Sequence, residues 1–211
     1  MSNQQPNLLQ HEQLLPEPKQ ERSRQKRDAL LKAAQALFAE LGYEAVSIGD
    51  IAGRAGVAVG AFYQHFTSKR QLVLILMDQF LTRALALIEQ TPPAVAVDAR
   101  PAISALVRQG LQIDWEYAGA YRAWREVSVY DPELRELHVQ IEQWSAHRIE
   151  ALLTTLQQTP GARPDVDVSI LSHVISLLFW RLIESPLHEP AQAEQLISVV
   201  SDLIYHAMFE G

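Results

Sequence analysis

GVAVGAFYQHFTSKRQL, residues 56–72, runs from small residues through Phe62, Tyr63, His65 and Phe66 to a Ser-Lys-Arg step. Phe62 and Phe66 lie four apart, so on a helix they share one face and anchor it. Val59 with Tyr63 and Gly60 with Gln64 fall on other faces, small at the start and polar at the end. Such a helix suits a major groove, its start entering and its end meeting backbone. The flanks agree. Upstream, Ser47 is a good N-cap, with Asp50 three residues on as in a capping box and Val46 placed to staple to Ile51. This predicts a short helix from Ile48 to Ala55, ended by Gly56. Further upstream, Leu30, Ala34, Leu37, Phe38 and Leu41 form one apolar stripe of a helix that Gly42 stops. Downstream, Ser68 caps a fourth helix, with Gln71 completing a second capping box. Three short helices joined by tight turns make a helix-turn-helix pattern.

The side chains assign themselves to parts of a DNA contact. Gly60 allows close approach, and Val59 and Ala61 offer only apolar contact, for instance to a thymine methyl. Gln64 suits an adenine edge or, too far along the helix, a phosphate. Tyr63 and His65 can donate to phosphate oxygens, the alternative being partly buried aromatics with satisfied tips. Lys69 stands in the first turn of a helix, where its charge opposes the macrodipole and a phosphate would be welcomed by both. The plainer reading of Lys69 is a solvated surface lysine.

Charge is divided along the chain. The 211 residues carry a net charge of −7, yet Lys19 to Arg70 holds nine basic against five acidic residues, and the remainder nine against twenty. A basic front and an acidic back suggest two jobs, the first facing phosphates. The sequence has no cysteine, which excludes disulfides, thiolate nucleophiles and cysteine-ligated zinc and agrees with a cytoplasmic setting. Residues 1–22 lack the pattern of a secretory signal, and their Gln, Pro and Asn content reads as a flexible tail. No apolar run reaches the roughly 18 residues of a membrane span, so no membrane partner is expected.

Nearly everything after residue 23 reads as helix: 69–89, 98–115, 118–130, 132–157, 166–184 and 191–209. The breaks are expected at 91–93, Gly119, Asp131-Pro132, 159–164 and 185–190. Strand alternation, hairpin signals and repeats are absent, and the fold class is all-α. A helix-turn-helix domain is expected at 23–70 and a helical ligand-binding and dimerisation domain at 71–211.

Residues 27–72 closely resemble the DNA-binding domain of the TetR/AcrR family of transcriptional regulators. The matching positions are Arg27, Ala33-Ala34, Phe38, Gly42-Tyr43, Ser47, Ile51-Ala52, Ala55-Gly56-Val57, Tyr63, His65-Phe66, Ser68-Lys69 and Leu72. The resemblance implies a role in DNA binding for Arg27, phosphate contacts by Ser47, Tyr63, His65 and Lys69, and a groove-facing start at Val59, Gly60 and Ala61. Two positions depart from the family: Ala58 where Ser or Thr is usual, and Ala61 where Thr is common. Base readout then leans on apolar contact and shape.

For the acidic back half the resemblance implies a homodimer built from the last two helices, whose broad apolar surfaces agree with burial on more than one side. Leu171, Leu178, Leu196, Val200 and Leu203 are the candidate interface, and Leu178→Asp or Val200→Asp is expected to give monomers. It also implies an inducer cavity, with Met77, Phe80, Trp115, Tyr121, Trp124, Trp144 and Phe179 as candidate lining for a lipophilic or aromatic effector. Plain core is the competing reading of these rings. Arg122, Arg125 and Glu126 beside Trp124 are either ligand contacts or surface ion pairs. The function so expected is a ligand-released repressor bound to a palindrome. A DNA-bound adaptor for a protein partner is the alternative. An enzyme is not expected: no His-Glu-x-x-His, Gly-rich phosphate loop or nucleophile elbow occurs, and no cofactor or metal is implied.

Overall fold

The computed structural model describes residues 5–90, 99–183 and 190–209. Among these residues there are nine α-helices and no strand, as the periodicity predicts. They are α1 (Glu21–Leu41), α2 (Ile48–Arg54), α3 (Val59–Phe62), α4 (Lys69–Gln90), α5 (Ala99–Glu116), α6 (Ala118–Ser128), α7 (Pro132–Gln157), α8 (Val168–Leu182) and α9 (Pro190–Met208). The breaks expected at 91–93 and at 185–190, the last residue apart, lie outside the described residues.

Local chemistry sets the boundaries. Gly42 ends α1 at φ 82°, and Gly56 turns the chain at φ 69° after α2, conformations that cost a side-chain-bearing residue. The predicted capping box of α2 forms: the Ser47 hydroxyl accepts from Asp50 N–H at 3.1 Å and the Asp50 carboxylate accepts from Ser47 N–H at 2.9 Å. At α4 the box reaches one residue further back. Ser68 Oγ accepts from Gln71 N–H, while Gln71 Oε1 accepts from Thr67 N–H at 2.8 Å. Helix α3 is short, four residues. It closes at Phe62, because Gln64 N–H bonds to Ala61 and His65 N–H to Phe62, three residues back, which winds the end into a tight turn.

Packing divides the chain into two compact units. One comprises Pro6–Leu81 with Glu116–Val139, the other Met1–Gln5, Thr82–Trp115 and Gln140–Gly211. The first, here the head unit, includes α6 as well as α1–α3. Its buried side chains include Leu30, Phe38, Ile51, Phe62, Phe66, Tyr121 and Trp124, each of the large aliphatic or aromatic ones stabilising by roughly 1.5–3 kcal/mol. Helix α6 lies directly on α1. A Cβ at Gly119 would stand 2.1 Å from the Gln35 carbonyl oxygen and 2.9 Å from the Ala39 nitrogen. The expected break at Gly119 is therefore a helical position where two backbones meet.

Part of the stretch expected as a flexible tail is held in the head unit, which begins at Pro6. Leu8 is 2% exposed. Glu12 pairs with Arg70 at 2.5 Å, and the Gln71 side-chain amide donates to the Gln13 carbonyl at 3.0 Å. The amide and guanidinium of α4's first turn supply the partners that composition alone did not reveal. In the other unit, Ile103, Val107 and Leu111 of α5 share a core with Leu153, Leu156, Ile175, Ile197 and Val200.

One helix among the described residues, Lys69–Glu89, is long and apolar enough to cross a membrane, which the scan for apolar runs did not anticipate. Every residue from Gln71 to Met77 on it is buried within the protein. That is the pattern of a core helix.

Candidate nucleic-acid interface

Helices α2 and α3 and the turn between them are held from below by Phe62 and Phe66, whose rings pack 5.4 Å apart. With this face fixed, the opposite edge is bare. Val59, Gly60, Tyr63 and Gln64 are exposed, and nothing approaches within 4 Å of where a Gly60 Cβ would stand. Tyr63 is 54% exposed while its ring meets Phe62 edge-on at 5.4 Å. Ala61 is half-buried. Ala58, at the N-cap of α3, makes no side-chain cap bond, as its missing hydroxyl requires.

Other expected contacts are placed differently. The Lys69 ammonium gives two hydrogen bonds to backbone carbonyls of the α1–α2 connection, Tyr43 at 2.6 Å and Val46 at 2.7 Å. It also lies 4.0 Å from the centre of the Tyr43 ring. Burial lowers its pKa. Two of its three donors are thus spent on holding that loop, which makes Lys69 first a positioning residue. His65 is 8% exposed, and its Nε2 is sealed from solvent without a partner. Burial, with Arg27 and Lys26 nearby, lowers its pKa and favours the neutral ring. In this conformation His65 is part of the floor. Arg27 stacks over the other side of that floor, its guanidinium 5.5 Å from the Phe66 ring. Ser47 is engaged in its capping box, its hydroxyl donating to Asp50 at 2.5 Å.

The end of α1 is tied to α6 by residues first assigned other roles. Glu126 of α6 accepts the Tyr43 N–H at 2.6 Å, and Arg122 donates to the Ala39 carbonyl at 2.8 Å near the C-terminal end of α1. The pair joins across one turn at 3.3 Å. They clamp α6 to the end of α1 and leave neither group available as the ligand contact first considered. Arg70 gathers Glu12, Asp131 and Glu133 at the start of α4. The Gly119 contact had a signal in the sequence, since a lone glycine in a helical pattern often marks close approach. The Arg122–Glu126 clamp had none, because spacing alone cannot tell a surface pair from one bonded to a distant loop.

The seven rings and side chains expected to line a ligand cavity divide between the units. Met77, Phe80, Tyr121 and Trp124 are buried in the head unit. There Trp124 Nε1 donates to His138 Nδ1 at 3.3 Å, and the Phe80 and Tyr117 rings pack 5.7 Å apart. Trp115, Trp144 and Phe179 belong to the other unit.

The five residues expected at a dimer face differ in exposure. Val200 is 2% exposed and sits in the core of its own unit, with Leu171, Leu178 and Leu196 packed against that core. Leu203 alone of the five is exposed, at 60%. The bare apolar positions are Ile170, Val174 and Leu177 on α8, at i, i+4 and i+7, and Val199 and Leu203 on α9, at i and i+4. A charge at Val200 or Leu178 would therefore act on the fold of the unit before any association. Breadth of apolarity alone does not say which side of a helix meets the chain's own core.

Residues 30–76 match the family described as bacterial regulatory proteins, tetR family. The transposon Tn10 TetC protein of Escherichia coli is 46% identical over 61 residues, 26% of this chain and 31% of that protein. The HTH-type transcriptional regulator EthR of Mycolicibacterium smegmatis is 30% identical over 142 residues, 65% of this chain and 63% of that protein. The chain thus spans less than two thirds of the length of these curated relatives. The solved structure of the ketosteroid transcriptional regulator KstR2 of Mycobacterium tuberculosis superposes with a TM-score of 0.64 at 20% identity, over 94% of this chain and 100% of that one. The TetR family regulator PfmR from Thermus thermophilus gives 0.67 at 24% identity, over 84% and 97%. At such identities the likeness is one of fold. EthR, KstR2 and PfmR are transcriptional regulators by name.

Proposed function

We propose that this chain, a member of the TetR family of bacterial regulatory proteins through its residues 30–76, is a transcriptional repressor that reads a palindromic operator as a homodimer in the cytoplasm and leaves it on binding a small molecule. The observation that carries the reading is the bare edge of α3. Val59, Gly60, Tyr63 and Gln64 stand exposed on a helix whose other side is anchored by Phe62 and Phe66. In this reading Val59 and Gly60 enter the groove, and Tyr63 and Gln64 fix the register, Tyr63 on a phosphate. Lys69 supports the same contact from behind by setting the α1–α2 loop, with one ammonium N–H left for phosphate. Residues 23–70 carry the contact, and 71–211 carry association and effector binding.

A palindrome needs two heads a helical turn apart, hence a symmetric pair of chains. The bare stripes Ile170–Val174–Leu177 and Val199–Leu203 are the faces assigned to that pairing. An effector that binds better to a head spacing unlike that of the operator complex shifts the population off DNA. The test is selection and sequencing of DNA fragments bound by the purified protein at two salt concentrations. A palindrome recovered at both supports the reading. Binding that falls steeply with salt and leaves no motif would overturn it.

A further inference from the structure

No residue of α1 from Glu21 to Ala29 is buried, so its first two turns project past the core. At 3.6 residues per turn, Arg22, Ser23, Lys26 and Arg27 fall on the side that further along carries Leu30, Ala33, Ala34 and Leu37. Those four are buried, whereas Arg22 and Lys26 are exposed. One side of the helix thus turns from apolar to basic. The acids of these turns, Glu21 and Asp28, lie on the opposite side with Arg24, which takes Glu21 at 2.8 Å. Lys19, also exposed, stands just before the N-cap Gln20. Among the described residues the Lys19, Arg22 and Lys26 side chains have neither ion pair nor hydrogen bond.

This basic side adjoins the end of α3. The Arg27 guanidinium lies 5.5 Å from the centre of the Phe66 ring. His65, in the turn that ends α3, is 8% exposed, with its Nε2 sealed and without a partner. Burial first, then the charges of Arg27 and Lys26, lower the His65 pKa, so both cations bear on that turn. The segment before α1 is anchored as well. Glu12 pairs with Arg70, and the Gln13 carbonyl accepts from the Gln71 side-chain amide at 3.0 Å. Lys19 therefore sits on a short stretch with both ends tied to the head unit.

Left to itself the arrangement is unfavourable. Arg22 stands in the first turn, where a cation opposes the macrodipole. Arg22 and Lys26 are four apart, a destabilising like-charge pair. Anions laid along this side relieve both. Three unpaired cations in succession, beside the bare edge of α3, fit a row of phosphates better than a single anion.

We propose that Lys19, Arg22 and Lys26 bind the phosphate backbone of a DNA duplex beside the groove that α3 enters. The proposal rests on the reading above that α3 enters DNA. It extends the contact to residues before 23 and outside the matched stretch 30–76. The anchored segment and the helix hold the backbone of all three residues before DNA arrives, which lowers the cost of ordering them. Phosphates carry no base identity, so the three add affinity without sequence preference.

The test is fluorescence anisotropy of the purified full chain on a duplex bearing the selected palindrome, from about 50 to 200 mM salt. Lys19→Gln, Arg22→Gln and Lys26→Gln are combined in one variant. Each phosphate contact contributes about 0.9 to the slope of log K against log salt, so losing all three in each chain of a dimer lowers the slope by about 5. Affinity is expected to fall at least tenfold, while DNA selection recovers the same palindrome and the melting temperature holds. The charge-keeping set Lys19→Arg, Arg22→Lys and Lys26→Arg is expected to retain the wild-type slope. An unchanged slope in the neutral variant, or an equal loss in the charge-keeping one, overturns the proposal. A changed palindrome would show base reading by these residues and overturns it too. Wild-type protein that binds duplex without selecting a palindrome sinks only the operator reading, and the same slope on unselected duplex then decides the phosphate contact. Wild-type protein that binds no duplex sinks both.

Discussion

Asp114 makes the stability of this protein depend on pH in a direction opposite to that of most carboxylates. Burial raises its pKa from 3.8 to about 8 in the folded chain, whereas the unfolded chain returns it to the ordinary carboxylate value. Between those limits the folded state keeps a proton that the unfolded state has lost, so stability falls as pH rises. The contribution is present in full below about pH 4, declines through neutrality and reaches its floor above about pH 8. Each unit is about 1.4 kcal/mol, so two units from pH 5.5 to 7.5 remove about 3 kcal/mol. Asp114→Asn cannot titrate. Urea unfolding of both proteins at pH 5.5, 6.5 and 7.5, at one fixed concentration, isolates the effect as a difference in which every other titrating group cancels. Relative to the variant, the wild type is expected to lose about 3 kcal/mol over that range. A difference that stays constant within about 0.5 kcal/mol, the usual scatter of such comparisons, would show that the carboxyl is solvated or paired and would refute the reasoning.

Gly119→Ala would push a methyl group to 2.1 Å from the Gln35 carbonyl oxygen, where backbone cannot yield. A loss of about 1–3 kcal/mol is expected in urea unfolding, and an unchanged midpoint would contradict the close approach of α6 to α1. Leu177→Asp combined with Leu203→Asp is expected to give well-folded monomers by analytical ultracentrifugation, with loss of operator binding. Val200→Ala should instead keep the dimer and lower stability by about 1.5–3 kcal/mol, and the reverse pattern would restore the face first expected. Ala58→Ser supplies the absent cap of α3 and should add about 1 kcal/mol. No gain would mean that α3's entry geometry does not let the hydroxyl reach its N–H.

Most of the helix order was legible because it rests on local chemistry. Ser47, Asp50, Gly42, Gly56 and Ser68 act on neighbours within four residues, and a sequence displays those neighbours directly. What was hidden is carried by residues distant in the chain. Lys69 looked like a free phosphate ligand because its partners are carbonyls at 43 and 46, which have no side-chain signature. Val200 looked like an interface residue because the core it fills is assembled from several other helices. Leu8 and Glu12 looked like tail because the groups that hold Glu12, Arg70 and Gln71, lie far along the chain. Asp114 passed unremarked, since one acid among apolar neighbours reads as a helix edge until its oxygen is found sealed.

The placement of α6 bears on how this protein could be rebuilt. The unit that holds α1–α3 is not a detachable N-terminal cartridge. The clamp from Arg122 and Glu126 and the backbone seat at Gly119 return from well beyond Leu81 to complete it. A chimera cut at residue 81 would carry an α1 without its Gly119 contact and with the Ala39 carbonyl deprived of Arg122. Specificity transplanted into another regulator would have to travel as two segments, 6–81 and 116–139, spliced at both seams. By the same logic, substitutions in α6 are constrained by α1, because part of the first unit is encoded after residue 115.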